Sequence, residues 1–590
     1  MSMRFWRWGM VFLLMVVMGC GDTVVGSADS GPDPELDGGG GGDAVVDLST
    51  LSDGAEAGSA DGSGACPDVT VYAFETPPVS LTTHYQTQPS SFLTAMFAME
   101  TALGAIALYL EDGKTVKANA SLQGFAALYQ STSEMVPQWA SYFSQQPLTD
   151  LENAVKAGNL QQVEDATDAI NNDVCSACHY PNRPAVWLKY YWPDFDSISL
   201  EEPTQQKKML WGPYMEALGL HYAKAETYAV DGENEKAQQA VANLKASLTA
   251  LEAGCQNCHG SEPRRYFISD DVTAHLDTAS TELSKTTPSQ GKVLTSLRSA
   301  RDASCYPCHV LHTPASTVRR WWAGKGAQPA NNCTSKDSYP LNRPPASLDQ
   351  HYSGPTSAYL QRMQLLASQY GRLQVRLEDG DWAGLAATVT TFETEYNEAA
   401  KMVPEWNAFF PSTPIVALKA AASSKDQKAA AAALELVEQV CFKCHDVNRL
   451  AVWRKHHWFE FKHIAISDPV SQQSLSWKSF MYAMAHSFMA ASTYLVEKDY
   501  VESQMHVDNL RKELSSLQSG CISCHGSEPR LYFVSSDVVA ILDQIYDDLA
   551  TPDPDVIALT KSLQEVGNKS CYGCHVVHTP AASIQAIGSW

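Results

Sequence analysis

The 590-residue chain is 44% apolar and 9% aromatic, enough for several buried cores and too long for one ordinary domain. Its 66 acidic and 42 basic residues give a formal net charge of −24, which excludes a basic nucleic-acid binder. The 15 cysteines are too sparse for a small disulfide scaffold and too many for an ordinary cytosolic enzyme, so their arrangement carries the functional reading.

At the start of the chain, Arg4 and Arg7 precede an apolar run from Gly9 to Gly19 that ends at Cys20. This run is far shorter than the ~20 residues a bilayer core requires, so residues 1–20 read as a secretory leader. The ending Val17-Met18-Gly19-Cys20 resembles the bacterial lipobox. That resemblance implies lipidation of Cys20 and placement in the envelope of a Gram-negative bacterium. Gly21, rather than Asp, after the cysteine favours the outer membrane, with the body facing the periplasm or the surface. Residues 21–65 hold no Lys or Arg, ten Asp or Glu, and the run Gly38 to Gly42. Such a segment cannot bury apolar surface and is expected to be a disordered tether, reaching roughly 35–40 Å. No later segment reads as long and apolar enough to span a membrane, so the expected membrane contact is the N-terminal lipid alone.

From Cys66 onward the chain repeats itself at an offset of 267. Cys66 matches Cys333, His84-Tyr85 matches His351-Tyr352, Leu110 to Gly113 matches Leu377 to Gly380, and Met135-Val136-Pro137 matches Met402-Val403-Pro404. After a one-residue deletion the match continues through Cys258 to Arg264 against Cys524 to Arg530. Within copy one, Phe92, Met96, Met99, Leu103, Ile106 and Leu110 form an apolar stripe with helical spacing. Tyr359, Met363, Leu366, Tyr370, Leu373 and Leu377 repeat it. A second stripe, Leu160, Val163, Ala166, Ile170 and Val174, runs into Cys175. The expected fold is all-α, with tandem helical bundles: residues 66–186 and 187–332 in copy one, 333–452 and 453–590 in copy two.

Six CxxCH motifs punctuate these helices: Cys175, Cys178, His179; Cys255, Cys258, His259; Cys305, Cys308, His309; Cys441, Cys444, His445; Cys521, Cys524, His525; and Cys571, Cys574, His575. Two thiols three residues apart on one helical turn can both add to the vinyl groups of one haem. The next residue then lies under the iron and supplies the proximal imidazole. Zinc half-sites do not need His directly after the second Cys, and redox dithiols do not come in sixes. The spacing therefore points to six haem c groups. Cys66 and Cys333 remain at equivalent positions, either as a disulfide joining the copies or as two free buried thiols.

Residues 90–183 carry an opening helix ending in Gly113, then Met135-Val136-Pro137-Gln138-Trp139, Ala157-Gly158, and a last helix with Cys175 to His179 and Arg183. This layout resembles cytochrome c prime and its Met-ligated relatives. Copy two matches with Gly380, Met402, Cys441 to His445 and Arg449 but lacks the Ala-Gly step. The resemblance implies a four-helix bundle with one haem near its last helix. The remainder of each copy reads as a helical module holding two haems, in which Arg264 and Arg530 either pair with haem propionates or are solvated.

For the iron faces opposite the proximal histidines, His84 and His351, and His312 and His578, recur at equivalent positions. A histidine three residues past its proximal ligand cannot turn back onto its own haem but can reach a neighbour's. Met96 and Met363, or Met215 and Met481, are thioether candidates, against ordinary core packing. His221 and His486 fall one residue out of register. The expected function is single-electron transfer to protein partners with basic docking surfaces. The alternative is a haem enzyme or gas-binding protein, acting on nitric oxide, peroxide or a nitrogen oxyanion at a five-coordinate iron.

Overall fold

The computed structural model describes residues 72–86, 90–192, 194–259, 267–324, 338–341, 343–352, 357–456, 461–525, 534–575 and 577–578. In copy one, β1 (Tyr72–Glu75) precedes α1 (Val79–His84), α2 (Ser91–Glu111), α3 (Thr115–Met135), a 3-10 turn (Pro137–Tyr142), α4 (Gln145–Ala157) and α5 (Leu160–Ala169). A π-helical segment (Ile170–Ser176) then leads into α6 (Ala177–Tyr190). The hairpin β2 (Ser199–Glu202) and β3 (Lys207–Leu210) follows, with α7 (Trp211–Asp231), α8 (Asn234–His259), α9 (Asp270–Leu283), α10 (Gln290–Ala303) and α11 (Cys305–Trp322). Copy two repeats the order with β4 (Ser338–Leu341), α12 (Ala346–Asp349), α13 (Ala358–Glu378), α14 (Trp382–Met402), α15 (Thr413–Ser424) and α16 (Gln427–His456). It continues through β5 (Ala465–Ser467), β6 (Ser474–Ser476), α17 (Trp477–Val496), α18 (Tyr500–His525), α19 (Ser536–Leu549), α20 (Val556–Val566) and a second π segment (Gly567–Tyr572). The chain is all-α; each of the three small ladders among the described residues pairs only two strands.

The expected apolar stripes are the buried faces. Phe92, Met96, Met99, Leu103 and Ile106 on α2 pack with Val163, Ile170 and Val174 in one core. Leu366, Leu373 and Leu377 on α13 pack with Val389, Phe392 and Leu434 in the equivalent core. Ser90 and Ser357 cap the two helices, accepting the backbone N–H of Leu93 at 3.4 Å and of Leu360 at 3.1 Å. Contrary to the expectation from sequence, α2 is long and apolar enough to cross a membrane by length and composition. Its apolarity has a local cause: α2 packs on α3 and α5 of its own copy and on α17 of the other.

The one-residue shift between copies has a definite place. Gly158 closes α4 in the left-handed conformation with φ 62°, and Lys425, exactly 267 residues later, closes α15 with φ 55°. The helix end that seemed missing from copy two is present, with a lysine where copy one has the residue suited to that conformation. The extra residue of copy one therefore lies beyond Gly158. There the helix widens into the π segment Ile170–Ser176, whereas α16 runs unbroken. A π turn is how a helix absorbs an inserted residue.

The copies interlock within one compact unit. Tyr482 and Met489 of α17 complete the α2–α6 core, and Val375 of α13 completes the α7–α10 core. The polar ties come in equivalent pairs: Tyr494 Oη to Asp112 Oδ2 at 2.9 Å and Tyr228 Oη to Asp379 Oδ1 at 3.1 Å. Lys117 bonds Glu497 at 2.8 Å, and Arg376 bonds Asp231, the counterpart of Glu497, at 2.6 Å. Strands β1 and β4 pair antiparallel, Phe74 opposite Tyr339, over the buried Trp321. The same contacts made in both directions are the signature of an isologous interface, here between two joined copies.

Candidate functional site

Every CxxCH motif sits on a helix or a π turn, the local form that puts both thiols on one side. In four motifs all the named side chains are described: Cys175 to His179, Cys305 to His309, Cys441 to His445 and Cys571 to His575. Cys255 and Cys521 are described, whereas the side chains of Cys258, His259, Cys524 and His525 lie outside the described residues. So do the leader with Cys20, the tether, Cys66, Cys333, Arg264 and Arg530.

None of the ten described motif thiols is in a disulfide. Burial pushes Cys175, Cys178, Cys308 and Cys444 up to about 12, and Cys305, Cys441 and Cys571 up to about 11. A redox dithiol needs a lowered thiol pKa, and these thiols have the reverse. The adjacent imidazoles are held neutral. Burial and then an arginine charge lower His179, His445 and His575 to about 3 and His309 to about 4. A neutral imidazole is the form that ligates a metal.

Two half-buried arginines flank these sites in the same way. Arg183 stacks over Trp187 at 4.4 Å, and its charge acts on both His179 and His575. Arg449, over Trp453 at 5.2 Å, acts on both His445 and His309. The Nε of Arg449 and the Nδ1 of His575 are buried without a hydrogen-bond partner. Two thiols, a neutral imidazole and an orphaned buried guanidinium nitrogen fit a haem bearing carboxylate side chains.

The distal candidates separate. His312 Nδ1 donates to the Cys308 carbonyl at 2.9 Å, and His578 Nδ1 does the same to Cys574, which leaves the lone pair of each ring on Nε2. His312 packs edge-on to Phe195, Phe195 on Trp211, and Trp211 against Gly254, the residue before Cys255. His578, Phe461, Trp477 and Gly520 repeat this chain up to Cys521. Each of these histidines thus lies on the path to the neighbouring motif of its own copy. The Nε2 atoms of His84 and His351 donate to the carbonyls of Met135 at 2.9 Å and Met402 at 2.8 Å, which leaves the lone pair of each ring on Nδ1. In this arrangement they pin α1 and α12 to the ends of α3 and α14. Met96 is buried in the core that holds Cys178, and half-buried Met363 packs in the core that includes Cys441. Met215 and Met481 pack partly buried in the α7–α10 and α17–α20 cores.

Three features were not anticipated. Glu100 is buried on α2, one turn from Met96, and its charge acts on Cys175 and Arg183. Its counterpart in copy two is Ala367. A buried polar cluster backs α8: Glu202 accepts Thr204 at 2.6 Å, Ser247 at 2.7 Å and the Gln205 N–H at 2.8 Å, with His221 at 3.3 Å. Burial opposes its charge, but these donors bring Glu202 down to about 2. Copy two exchanges the members: Asp468 for Glu202, Ser487 for His221 and Glu513 for Ser247. Burial pushes Glu513 up to about 8, against a hydrogen bond with Ser487, while the Asp468 charge raises it further. Third, His506 on α18 stacks on Tyr494 and meets His486 edge-on at 5.7 Å. Each feature stands as a polar residue in one copy opposite a different residue in the other, a signal present in the repeat alignment.

No protein-family model, no curated protein and no solved structure matches this chain.

Proposed function

We propose that the chain is a hexahaem c-type cytochrome, exported and lipid-anchored at Cys20 on the outer membrane. It carries single electrons between redox partners on the periplasmic or surface side. The observation that carries this reading is the sixfold CxxCH pattern. Its described members present thiols with raised pKa values beside imidazoles held neutral. Bound haem supplies a one-electron iron couple at each motif. The chain's own residues attach it through the cysteine pairs and ligate it through His179, His259, His309, His445, His525 and His575. Arg183 and Arg449 neutralise its carboxylates. His312, His578, Met96 and Met363 are the favoured distal ligands; His84 and His351 could ligate only through Nδ1 while their Nε2 protons stay on the carbonyls. The net acidity suits basic protein partners, with salt-sensitive docking rates. Production in a host with c-type haem maturation tests the reading. The intact mass and the alkaline pyridine spectrum should report six covalent haems, and apo-protein or bound zinc would refute it.

One observation favours the second reading, a haem enzyme or gas-binding protein. Glu100 is a buried carboxylate whose charge acts on Cys175, and Ala367 provides none at the equivalent place in copy two. Carbon monoxide added to the ferrous protein decides: spectral change shows an open iron, and its absence leaves electron transfer alone.

A further inference from the structure

Electron transfer falls off steeply with distance, so the neighbours of each haem set the route. On sequence grounds the natural grouping is three haems in copy one and three in copy two. The packing joins them differently.

Tyr572, inside the Cys571 motif of copy two, packs edge-on against Tyr191 at 5.6 Å. Tyr191 ends α6, the helix that carries Cys178 and His179 in copy one, and bonds Tyr85 of the same copy at 3.2 Å. Arg320 of α11, the helix that begins at Cys305, sits 5.8 Å above the ring of Phe442, between Cys441 and Cys444. Helix α11 packs on α16 of copy two as well as on α6 of its own copy, where Trp192 meets His312 edge-on at 5.3 Å. On the helices that receive these contacts, Arg183 stacks on Trp187 of α6 and Arg449 on Trp453 of α16. The Cys175 and Cys571 motifs are both entered through π turns, Ile170–Ser176 and Gly567–Tyr572. Within a copy, the aromatic chains from Gly254 to His312 and from Gly520 to His578 bring the second motif to the third.

Resting on the haem reading above, we propose that the electron route crosses between the copies. One branch runs from the Cys255 haem to the Cys305 haem and on to the Cys441 haem. The other runs from the Cys521 haem to the Cys571 haem and on to the Cys175 haem. Arg183 on α6 and Arg449 on α16 are the positioning residues at the two crossings, each a half-buried cation on the helix where a branch from the other copy arrives. A ferrous haem carries one positive charge fewer than a ferric one. A nearby cation therefore favours the ferrous state and raises the midpoint potential of every haem within its reach.

The test uses the full haem-loaded chain. Haem-methyl resonances are followed by NMR through a redox titration, and each is assigned by its loss when one motif's cysteine pair is changed to serine. Arg183→Gln should lower the midpoints of the Cys175 and Cys571 haems together and leave the Cys305 and Cys441 haems in place. Arg449→Gln should do the reverse. If the arginine variants fail to fold, Cys571→Ser with Cys574→Ser provides a second reading, because removing that haem should shift the Cys175 haem and not the Cys441 haem. A shift confined to haems of one copy overturns the crossing while six haems still stand. A parent protein without covalent haem, seen first in the pyridine spectrum, overturns the cytochrome reading itself.

Discussion

Glu513 gives the most quantitative test of the fold around a motif helix. It lies on α18, two turns before Cys521, with its side chain in the polar cluster of Ser487 and Asp468. Its carboxyl is pushed up to about 8 from an ordinary 4.5 by burial and by the Asp468 charge. The folded state therefore holds a proton that the unfolded chain releases. The stability from this group is fully present below pH 4.5 and is lost as pH rises through about 8. At about 1.4 kcal/mol for each tenfold change in proton affinity, the full difference is about 5 kcal/mol as an order of magnitude. Between pH 5 and pH 9 about 4 kcal/mol of it should be lost, a large share of ordinary stabilities of ~5–15 kcal/mol. Glu513→Gln keeps the size and a hydrogen-bonding group and removes the proton. Urea unfolding of parent and variant should give similar midpoints at pH 5 and a clearly higher midpoint for the variant at pH 9. Infrared spectra should show a protonated carboxyl band in the parent at pH 6 that the variant lacks. An equal difference between the two proteins at both pH values would refute the reasoning.

Other consequences follow from the comparison of copies. Lys425→Gly should stabilise copy two by about 1 kcal/mol in urea unfolding, because glycine adopts φ 55° without the side-chain penalty. Gly520→Ala puts a Cβ 2.8 Å from Ile466 Cδ1 and 3.1 Å from Trp477 Cζ3, an overpacking cost of roughly 1–3 kcal/mol. Gly254→Ala, whose nearest atoms are 3.1 Å away, should cost less, and equal unfolding midpoints would contradict this. Met96→Ala combined with Met363→Ala should convert two haems to a high-spin, carbon-monoxide-reactive form. An unchanged ferrous spectrum removes methionine as the distal ligand.

Much of this structure is legible in the sequence because helices record their buried face locally. The stripes from Phe92 and from Tyr359 lie where their spacing puts them, and the motifs sit on helices because the chemistry of adjacent thiols demands it. What escaped the reading depends on tertiary contacts. The apolarity of α2 reflects packing from a helix that lies more than 360 residues away in the chain. The left-handed helix end at Lys425 was hidden because propensity is a weak prior that tertiary context overrides. His84 and His351 carry the residue type of a ligand, yet their Nε2 protons are committed to carbonyls whose positions no sequence spacing reveals. The contacts between copies, α2 with α17 and α7 with α13, are not a local property either.

The covalent joining of the copies bears on how strong their interface must be. Two separate chains would associate only by overcoming the loss of translational and rotational freedom. In one chain that cost is largely removed, since a short connection holds the partners at an effective concentration of about millimolar. Against a 1 M reference, this still leaves only about 4 kcal/mol to be supplied by contacts. The tyrosine–aspartate bonds at 2.9 and 3.1 Å, the Arg376–Asp231 and Lys117–Glu497 pairs, and the insertion of Tyr482, Met489 and Val375 into opposite cores are of that order together. Because the tyrosine–aspartate bond is made once in each direction, loss of one weakens one contact between the copies and spares the other. Tyr494→Phe should therefore loosen the contact of α17 with α2 while the contact of α7 with α13 keeps its protection from hydrogen exchange. Equal loss of protection at both contacts would mean that the copies yield as one cooperative body.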